Sequence, residues 1–318
     1  MPELPEVETV RRGLSELIID RCIKAVGFDW PKSFPNARSD VDQFLVGAKI
    51  TNVRRRAKVL LIDVSTDYSL VIHLKMTGQL VFVNKNLEYR TLNMEGRKLP
   101  NANSNIPIAT DEVRFGAGHP SDSLVGELPA KSTRVTFTFV DGSHLYFNDQ
   151  RKFGWVRLVP TIEVPNIDFM QKVGPEPLET DFTIDQFTQR FVRRANTSIK
   201  AALLDQTVIA GVGNIYADES LWGAKIHPLT KVVDLSTAKY SLLYTELRYV
   251  MNLAIEKGGS TDRNYVNAEG KKGSYIDFAR VFRREGKPCR RCDTDIIKTR
   301  VAGRGTHICP RCQKTQSV

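Results

Sequence analysis

The apolar positions at the start of the chain recur every three or four residues. They are Val7, Val10, Leu14, Leu17 and Ile18. Charged side chains fill the opposite side, among them Glu8, Arg11, Arg12 and Glu16. This spacing predicts a helix from Pro5 to Ile19 that buries one face.

Beyond this helix the apolar positions come in short runs separated by polar turns, which is typical of β-strands. The runs cover 50–55, 59–64, 70–74, 80–83, 135–140, 145–147 and 155–159. Asp141-Gly142 is placed for a hairpin turn between two of them. Strands that follow one another without intervening helices favour an antiparallel sandwich.

The segment 84–131 interrupts this pattern with polar residues, proline and glycine. It is too long for an ordinary connection and is interpreted as a surface insertion. Prolines at 160, 165, 175 and 177 then indicate a linker over 161–180.

The second half of the chain has helical periodicity. The predicted helices cover 184–194, 198–204, 214–222 and 236–257. Ser236 is a suitable N-cap for the last of them, and Gly258-Gly259 ends it. A polar loop continues to Tyr275 before a cysteine-rich tail.

The chain has 318 residues and a formal net charge of +10. The length predicts two or three domains, because single cores rarely grow this large. The positive excess favours a polyanionic partner, although a basic soluble protein without such a partner has the same balance. No apolar run is long enough for a membrane span, and the start of the chain does not resemble a secretory signal. Four of the five cysteines lie in the last thirty residues, which is not the distribution of a secreted disulfide scaffold, so we expect a reducing cytoplasm.

Four of the five cysteines form two Cys-x2-Cys pairs, Cys289 with Cys292 and Cys309 with Cys312. The sixteen residues between the pairs are within the range expected for a four-thiolate zinc site. So short a tail buries little apolar surface, so a metal would supply its folding energy. Disulfides or free thiols are the alternatives, which a reducing cytoplasm disfavours.

Several strings of the chain, taken together, closely resemble the bacterial formamidopyrimidine-DNA glycosylase family. They are MPELPEVETV at 1–10, RRRAK at 54–58, HLKMTG at 73–78, NDQRKFG at 148–154, GPEPL at 174–178, LLDQTVIAGVGNIYADE at 203–219 and VAGRGTHICPRCQ at 301–313. They span essentially the whole chain except the insertion. The resemblance implies a multidomain α+β protein. Its parts would be a β-sandwich with an N-terminal helix (2–160), the linker, a helix–two-turn–helix domain (181–280) and a zinc-finger β-hairpin (281–318) with one structural Zn²⁺.

The family's chemistry implies four catalytic residues: Pro2, Glu3, Lys58 and Arg304. After removal of Met1, the Pro2 amine would be the nucleophile, and Glu3 would move protons. Lys58 would act at the phosphate and in elimination, and the finger arginine, Arg304, would grip phosphates beside the lesion. From the residues alone, Pro2 could instead serve only to start a helix.

The resemblance also implies contacts to DNA. Met76, Arg151 and Phe153 match residues that fill the gap left by an extruded base, although by themselves Met76 and Phe153 could be core residues. Asn214 would bind phosphate at a helix start. Many members of the family contact a phosphate with a His-x-His pair just before one of the predicted strands. Here Ser132 stands in the place of one histidine, so whether this phosphate contact is kept is not decided by the sequence.

Substrate contacts are expected at Glu6 and in the loop 258–275, which resembles the segment that closes over the flipped purine. The candidate residues in this loop are Ser260, Arg263 and Tyr265.

The sequence thus predicts a monomeric bifunctional glycosylase/lyase that acts on oxidised purines in double-stranded DNA, in a bacterial cytoplasm beside the nucleoid. An oxidised-pyrimidine enzyme of the same superfamily is one alternative. A catalytically silent, DNA-damage-binding zinc protein is another, although every matched catalytic position is occupied.

Overall fold

The computed structural model describes residues 2–84, 113–117, 126–260 and 275–315. The helices are α1 (Leu4–Ile18), α2 (Arg38–Leu45), α3 (Asp168–Lys172), α4 (Ile184–Val192), α5 (Ile199–Leu204), α6 (Asn214–Gly223) and α7 (Thr237–Glu256). The strands are β1 (Ile23–Phe28), β2 (Ile50–Arg56), β3 (Val59–Val64), β4 (Tyr68–His73), β5 (Gly78–Asn84), β6 (Val113–Ala117), β7 (Thr133–Phe139), β8 (His144–Asp149), β9 (Trp155–Pro160), β10 (Ile297–Val301) and β11 (Arg304–Ile308). Short 3₁₀ turns cover Thr161–Asn166, Val232–Asp234 and Tyr275–Phe278.

The first half of the chain forms two antiparallel sheets. One has the order β1-β7-β8-β5-β6 and the other the order β2-β3-β4-β9. Alternate side chains of both sheets, such as Ile62 of β3 and Phe137 of β7, share one buried core with the apolar face of α1. The predicted antiparallel sandwich with an N-terminal helix is confirmed.

Two strands of the sandwich were not predicted. β1 pairs with β7 through an irregular register near Ile23, which disturbs the apolar alternation. β6 lies inside the polar segment 84–131 and pairs with β5. The buried ring of its Phe115 packs directly against Gly13 of α1, and it fills the space that a side chain at position 13 would need. Part of the expected surface insertion therefore belongs to the core.

The N-terminal end of α1 leaves the sandwich and enters a second core. Leu4 packs there with Leu203, Tyr216 and Leu247 of the helical half. The Leu4 amide donates to the carbonyl of Gly211 at 3.0 Å. Gly211 has a φ of +78°, and a β-carbon there would overlap Leu4, so only glycine suits this close approach. The first residues of the chain thus join the two halves.

A buried ion pair joins the β10–β11 hairpin to the helices. The Lys200 ammonium lies 2.6 Å from an Asp218 carboxylate oxygen and donates to the Thr306 hydroxyl at 2.7 Å. The second oxygen of Asp218 accepts from the His307 amide at 2.9 Å. Both side chains of the pair are fully buried, so loss of either would leave a buried charge uncompensated. The hairpin is therefore held firmly against α5 and α6.

None of the helices in the described part of the chain is both long and apolar enough to cross a membrane.

Replacement of Phe115 by Ala should lower the free energy of unfolding of the sandwich by about 3–5 kcal/mol, because it leaves a cavity against Gly13. Urea unfolding measures this. Ile162→Ala is the control, since this side chain is 82% exposed and its truncation should have little effect. A loss at Phe115 no greater than at Ile162 would contradict the place of β6 in the core.

Candidate active site and zinc centre

Pro2 and Glu3 are buried where the sandwich meets the helical half. The Glu3 carboxylate accepts hydrogen bonds from the amides of Ile215 at 3.0 Å and Tyr216 at 3.4 Å. These amides belong to the first turn of α6, the positive end of the helix dipole. A β-carbon at Gly213 would overlap the Glu3 carboxylate, so the glycine makes room for it. The turn before α6 therefore forms a binding pocket for the carboxylate of Glu3, which the sequence analysis named as a candidate catalytic residue.

Lys58 lies beside this carboxylate and donates to the Val212 carbonyl at 2.8 Å. Burial, together with neighbouring Glu6, raises the pKa of Glu3 to about 7, although Lys58 opposes the rise. Burial also lowers the pKa of Lys58, against the attraction of Glu3 and Glu6 and with a contribution from Arg304. A carboxyl group that titrates near neutrality can both donate and accept protons at physiological pH. The pair is suited to general acid–base chemistry.

Glu6 connects Glu3 with the start of the loop 258–275. One carboxylate oxygen accepts from the Glu3 amide at 2.8 Å. The other accepts from the Tyr216 hydroxyl at 2.6 Å and from the Ser260 amide at 2.8 Å and hydroxyl at 2.9 Å. Arg263 and Tyr265, the other two candidates in this loop, lie outside the described residues.

Arg304 and Asn214 both lie where the hairpin contacts α6. Ala302 and Gly303 both have positive φ, which gives a tight two-residue turn and places Arg304 as the first, exposed residue of β11. The Asn214 amide donates to the Gly305 carbonyl at 2.9 Å. A hydrogen bond from the side chain of the first residue of α6 therefore holds the backbone next to the finger arginine.

Met76, Arg151 and Phe153 come together on two adjoining turns. Met76 is 42% and Phe153 53% exposed, so they are not core residues. An Arg151 nitrogen lies 3.2 Å from the Met76 sulphur, and the guanidinium carbon lies 4.9 Å from the centre of the Phe153 ring. The three side chains together form an exposed patch that is both apolar and positively charged.

Asp149 shapes both of these turns from beneath. Its buried carboxylate accepts from the amides of Arg151 at 3.1 Å and Gly154 at 2.6 Å, and from the Thr77 hydroxyl. Exposed apolar side chains held on so rigid a base are available to a partner.

Ser132 lies half-exposed just before β7, and its carbonyl accepts from the Asp149 amide at 2.7 Å. It lines an open depression of about 560 Å³ together with Lys131, Arg134 and Gln150. The structure thus places Ser132 next to the strand end that carries Arg151.

Two residues of the site were not identified from sequence. Burial, with Lys75 and Lys58, lowers the pKa of His73 to about 3, so its ring is neutral and Nδ1 accepts from the Lys75 amide at 3.0 Å. This bond shapes the turn that carries Met76. Tyr216 is fully buried between Glu6 and Tyr275. Both lie within the strings that carry the family resemblance, but only the structure gives their partners.

The four finger cysteines converge on one point, with all four sulphur atoms within 4.8 Å of one another. The sulphur–sulphur distances include 3.4 Å for Cys292–Cys309, 3.5 Å for Cys292–Cys312 and 3.9 Å for Cys289–Cys312. Zn–S bonds of about 2.3 Å in a tetrahedron require a sulphur–sulphur distance of about 3.8 Å. None of these cysteines forms a disulfide. The donor set fits one structural zinc ion, as predicted.

The purified protein should contain one zinc ion per chain, and Cys292→Ser should lower this content because a closed thiolate site loses a ligand. Cys22→Ser is the matched control, because Cys22 lies outside the cluster and its loss should leave the zinc content unchanged. Mass spectrometry of the metal content measures the amount of zinc per chain in each variant. Equal zinc contents in the two variants would rule out the four-thiolate assignment.

The pKa of Glu3 also predicts how stability depends on pH. The folded state holds this proton up to about pH 7, whereas the ordinary value is 4.5. The stabilisation by the neutral carboxyl is therefore complete below pH 4.5 and is lost as the pH rises through about 7. Urea unfolding should show that Glu3→Gln, which cannot titrate, loses less stability over this interval than the parent. If the free energies of unfolding of the variant and the parent change equally with pH over this interval, the raised pKa of Glu3 is contradicted.

Three family models match successive parts of the chain. They are the formamidopyrimidine-DNA glycosylase N-terminal domain over residues 1–156, the H2TH domain of the same enzymes over 173–265, and a zinc finger found in FPG and IleRS over 286–315. Their order agrees with that of the sandwich, the helices and the hairpin.

Full-length relatives agree with these matches. A formamidopyrimidine-DNA glycosylase of Ligilactobacillus salivarius is 38% identical over 100% of both chains. A crystal structure of a Lactococcus lactis FPG mutant with DNA containing Fapy-dG has a TM-score of 0.79 and 32% identity, and it covers 99% of this chain and 100% of its own. A structure of MutM with DNA containing carbocyclic 8-oxo-G has a TM-score of 0.78 at the same identity and coverage. The chain belongs to the formamidopyrimidine-DNA glycosylase family.

Proposed function

We propose that this DNA glycosylase excises oxidised purines, namely 8-oxoguanine and formamidopyrimidines, from duplex DNA and then cuts the strand at the same site as a lyase. The observation that carries the proposal is the burial of Pro2 and Glu3 against the first turn of α6, with Lys58 beside them. The DNA lesions held by the similar FPG and MutM structures support the substrate class.

The proposed nucleophile is the Pro2 amine, set free by removal of Met1. An α-amino group has a pKa of about 8, so part of it is uncharged at neutral pH. Its nitrogen bonds to C1′ of the damaged nucleotide as the C1′–N9 bond breaks, and the purine leaves with the electron pair and takes up a proton. The amine loses its proton, the C1′–O4′ bond opens, and O4′ is protonated. The product is an iminium ion between Pro2 and C1′.

The iminium ion makes the C2′ hydrogen acidic. Loss of this proton expels the 3′ phosphate, and a second elimination expels the 5′ phosphate. In this scheme Glu3 delivers the proton to O4′, Lys58 contacts the phosphate and donates a proton during elimination, and Arg304 assists the final elimination. The raised pKa of Glu3 suits it to proton transfer near neutral pH, and the lowered pKa of Lys58 makes that lysine a stronger proton donor.

The base must leave the helix before this chemistry, at a cost of about a few kcal/mol. We assign Met76, Phe153 and Arg151 to the vacated space, as an apolar plug, a wedge between base pairs and a partner for the unpaired cytosine. Asn214 and Ser132 would contact phosphates, while Glu6, Ser260, Arg263 and Tyr265 would contact the extruded purine. The net charge of +10 suits binding to DNA. We expect a monomer, because a duplex in an asymmetric cleft needs no second subunit, bound to DNA in the nucleoid.

Borohydride trapping tests the proposal. Reduction of the iminium ion in the presence of a duplex with 8-oxoguanine opposite cytosine should give a covalent protein–DNA adduct. A form of the protein that retains Met1 should not give the adduct, because the Pro2 nitrogen is then part of an amide and cannot act as a nucleophile. Pro5→Ala is the matched control and should trap normally, because Pro5 lies inside α1.

The alternatives give different outcomes in the same assay. More adduct with a thymine glycol duplex than with 8-oxoguanine would favour an oxidised-pyrimidine enzyme. Tight binding of the damaged duplex without adduct or strand cleavage would favour a silent damage-binding protein and overturn the proposal.

A further inference from the structure

Trp222, near the end of α6, reaches from the helical domain into the zinc finger. Its indole N–H donates to the sulphur of Cys289 at 3.4 Å. Both side chains are buried and share a small apolar cluster with Val281, Ile296 and Cys309. A buried indole N–H generally requires a hydrogen-bond partner, and here that partner is a metal ligand.

The finger holds Trp222 in this position with a cation. The Arg291 guanidinium carbon lies 3.9 Å from the centre of the indole ring. The same side chain donates to the carbonyls of Trp222 at 3.1 Å and Gly223 at 3.3 Å, the last residues of α6. Arg291 stands between the two cysteines of the first pair. Arg291 therefore contacts both the negative end of the helix dipole and the face of the indole ring.

Four thiolates around one Zn²⁺ carry an excess of negative charge, and hydrogen-bond donors stabilise it. For Cys309 the donor is the Cys312 amide, which lies within the finger. For Cys289 the donor comes from a different domain. A cation on the ring face draws electron density from the indole, which makes its N–H a stronger donor.

We propose that Trp222 is a positioning residue of the zinc centre, which stabilises the Cys289 thiolate through its indole N–H while Arg291 fixes the ring. Outer contacts of this kind change metal affinity by about 10–100-fold. Because the first turn of α6 holds Glu3, the same ten-residue helix contacts both the catalytic carboxylate and the zinc thiolate. The position of the finger relative to the active site then depends partly on this bond.

The test compares Trp222→Phe with Trp155→Phe in the intact protein. Phenylalanine keeps an apolar ring in the cluster but has no donor. Transfer of zinc to an excess of a chromogenic chelator should be about tenfold faster for Trp222→Phe. The Trp155→Phe variant, altered in β9 of the sandwich, should match the parent.

Cobalt substitution separates the hydrogen bond from packing. Loss of a donor raises the energy of the sulphur lone pairs, so the thiolate-to-cobalt charge-transfer band of Trp222→Phe should move to longer wavelength. Faster zinc release with an unshifted band would reduce Trp222 to a packing role and overturn the proposal, as would an unchanged release rate. Should Trp222→Phe fail to fold, Arg291→Gln carries the same test, with a smaller shift expected, and an unshifted band would again overturn it.

Discussion

The burial of the Glu3 carboxylate against the first turn of α6 is the interaction on which the rest of the site depends. A carboxyl group at this depth is stable only because two backbone amides and a nearby ammonium group compensate for lost hydration. The same burial raises its pKa toward neutrality. Stabilisation and proposed chemistry therefore arise from one arrangement.

This arrangement dictates much of the surrounding architecture. Glycine is needed at 213 for the carboxylate and at 211 for the approach of Leu4. Because α1 starts in the helical core and ends in the sandwich core, neither half can move away without withdrawing Glu3. The Lys200–Asp218 pair also joins the hairpin to α6, which places Arg304 near enough to Lys58 to lower the pKa of that lysine.

Sequence periodicity predicted the elements with a single buried face well. Helix α1 has buried residues at helical spacing, and strand β7 alternates between buried and half-buried positions. The cysteine spacing alone indicated the metal centre. Periodicity did not predict β6, because five residues in a polar segment carry little periodic signal, and Phe115 is buried through packing with distant parts of the chain such as Gly13. Periodicity also could not identify the hydrogen-bond partners of Tyr216 and Trp222, because these partners lie more than sixty positions away in the chain. The trio of Met76, Arg151 and Phe153 came from family resemblance, and the structure supplied the physical reason for their proximity in the buried Asp149 carboxylate.

The site contains two amines that could form an iminium ion, the Pro2 nitrogen and the Lys58 ammonium group, whose pKa burial lowers. Peptide mapping of the borohydride-reduced complex by mass spectrometry distinguishes them directly. The account predicts that the added deoxyribose mass lies on a peptide that begins with Pro2. If the mass lies on Lys58 instead, the central claim, that the first residues of the chain are placed against α6 to act as nucleophile and proton carrier, is wrong.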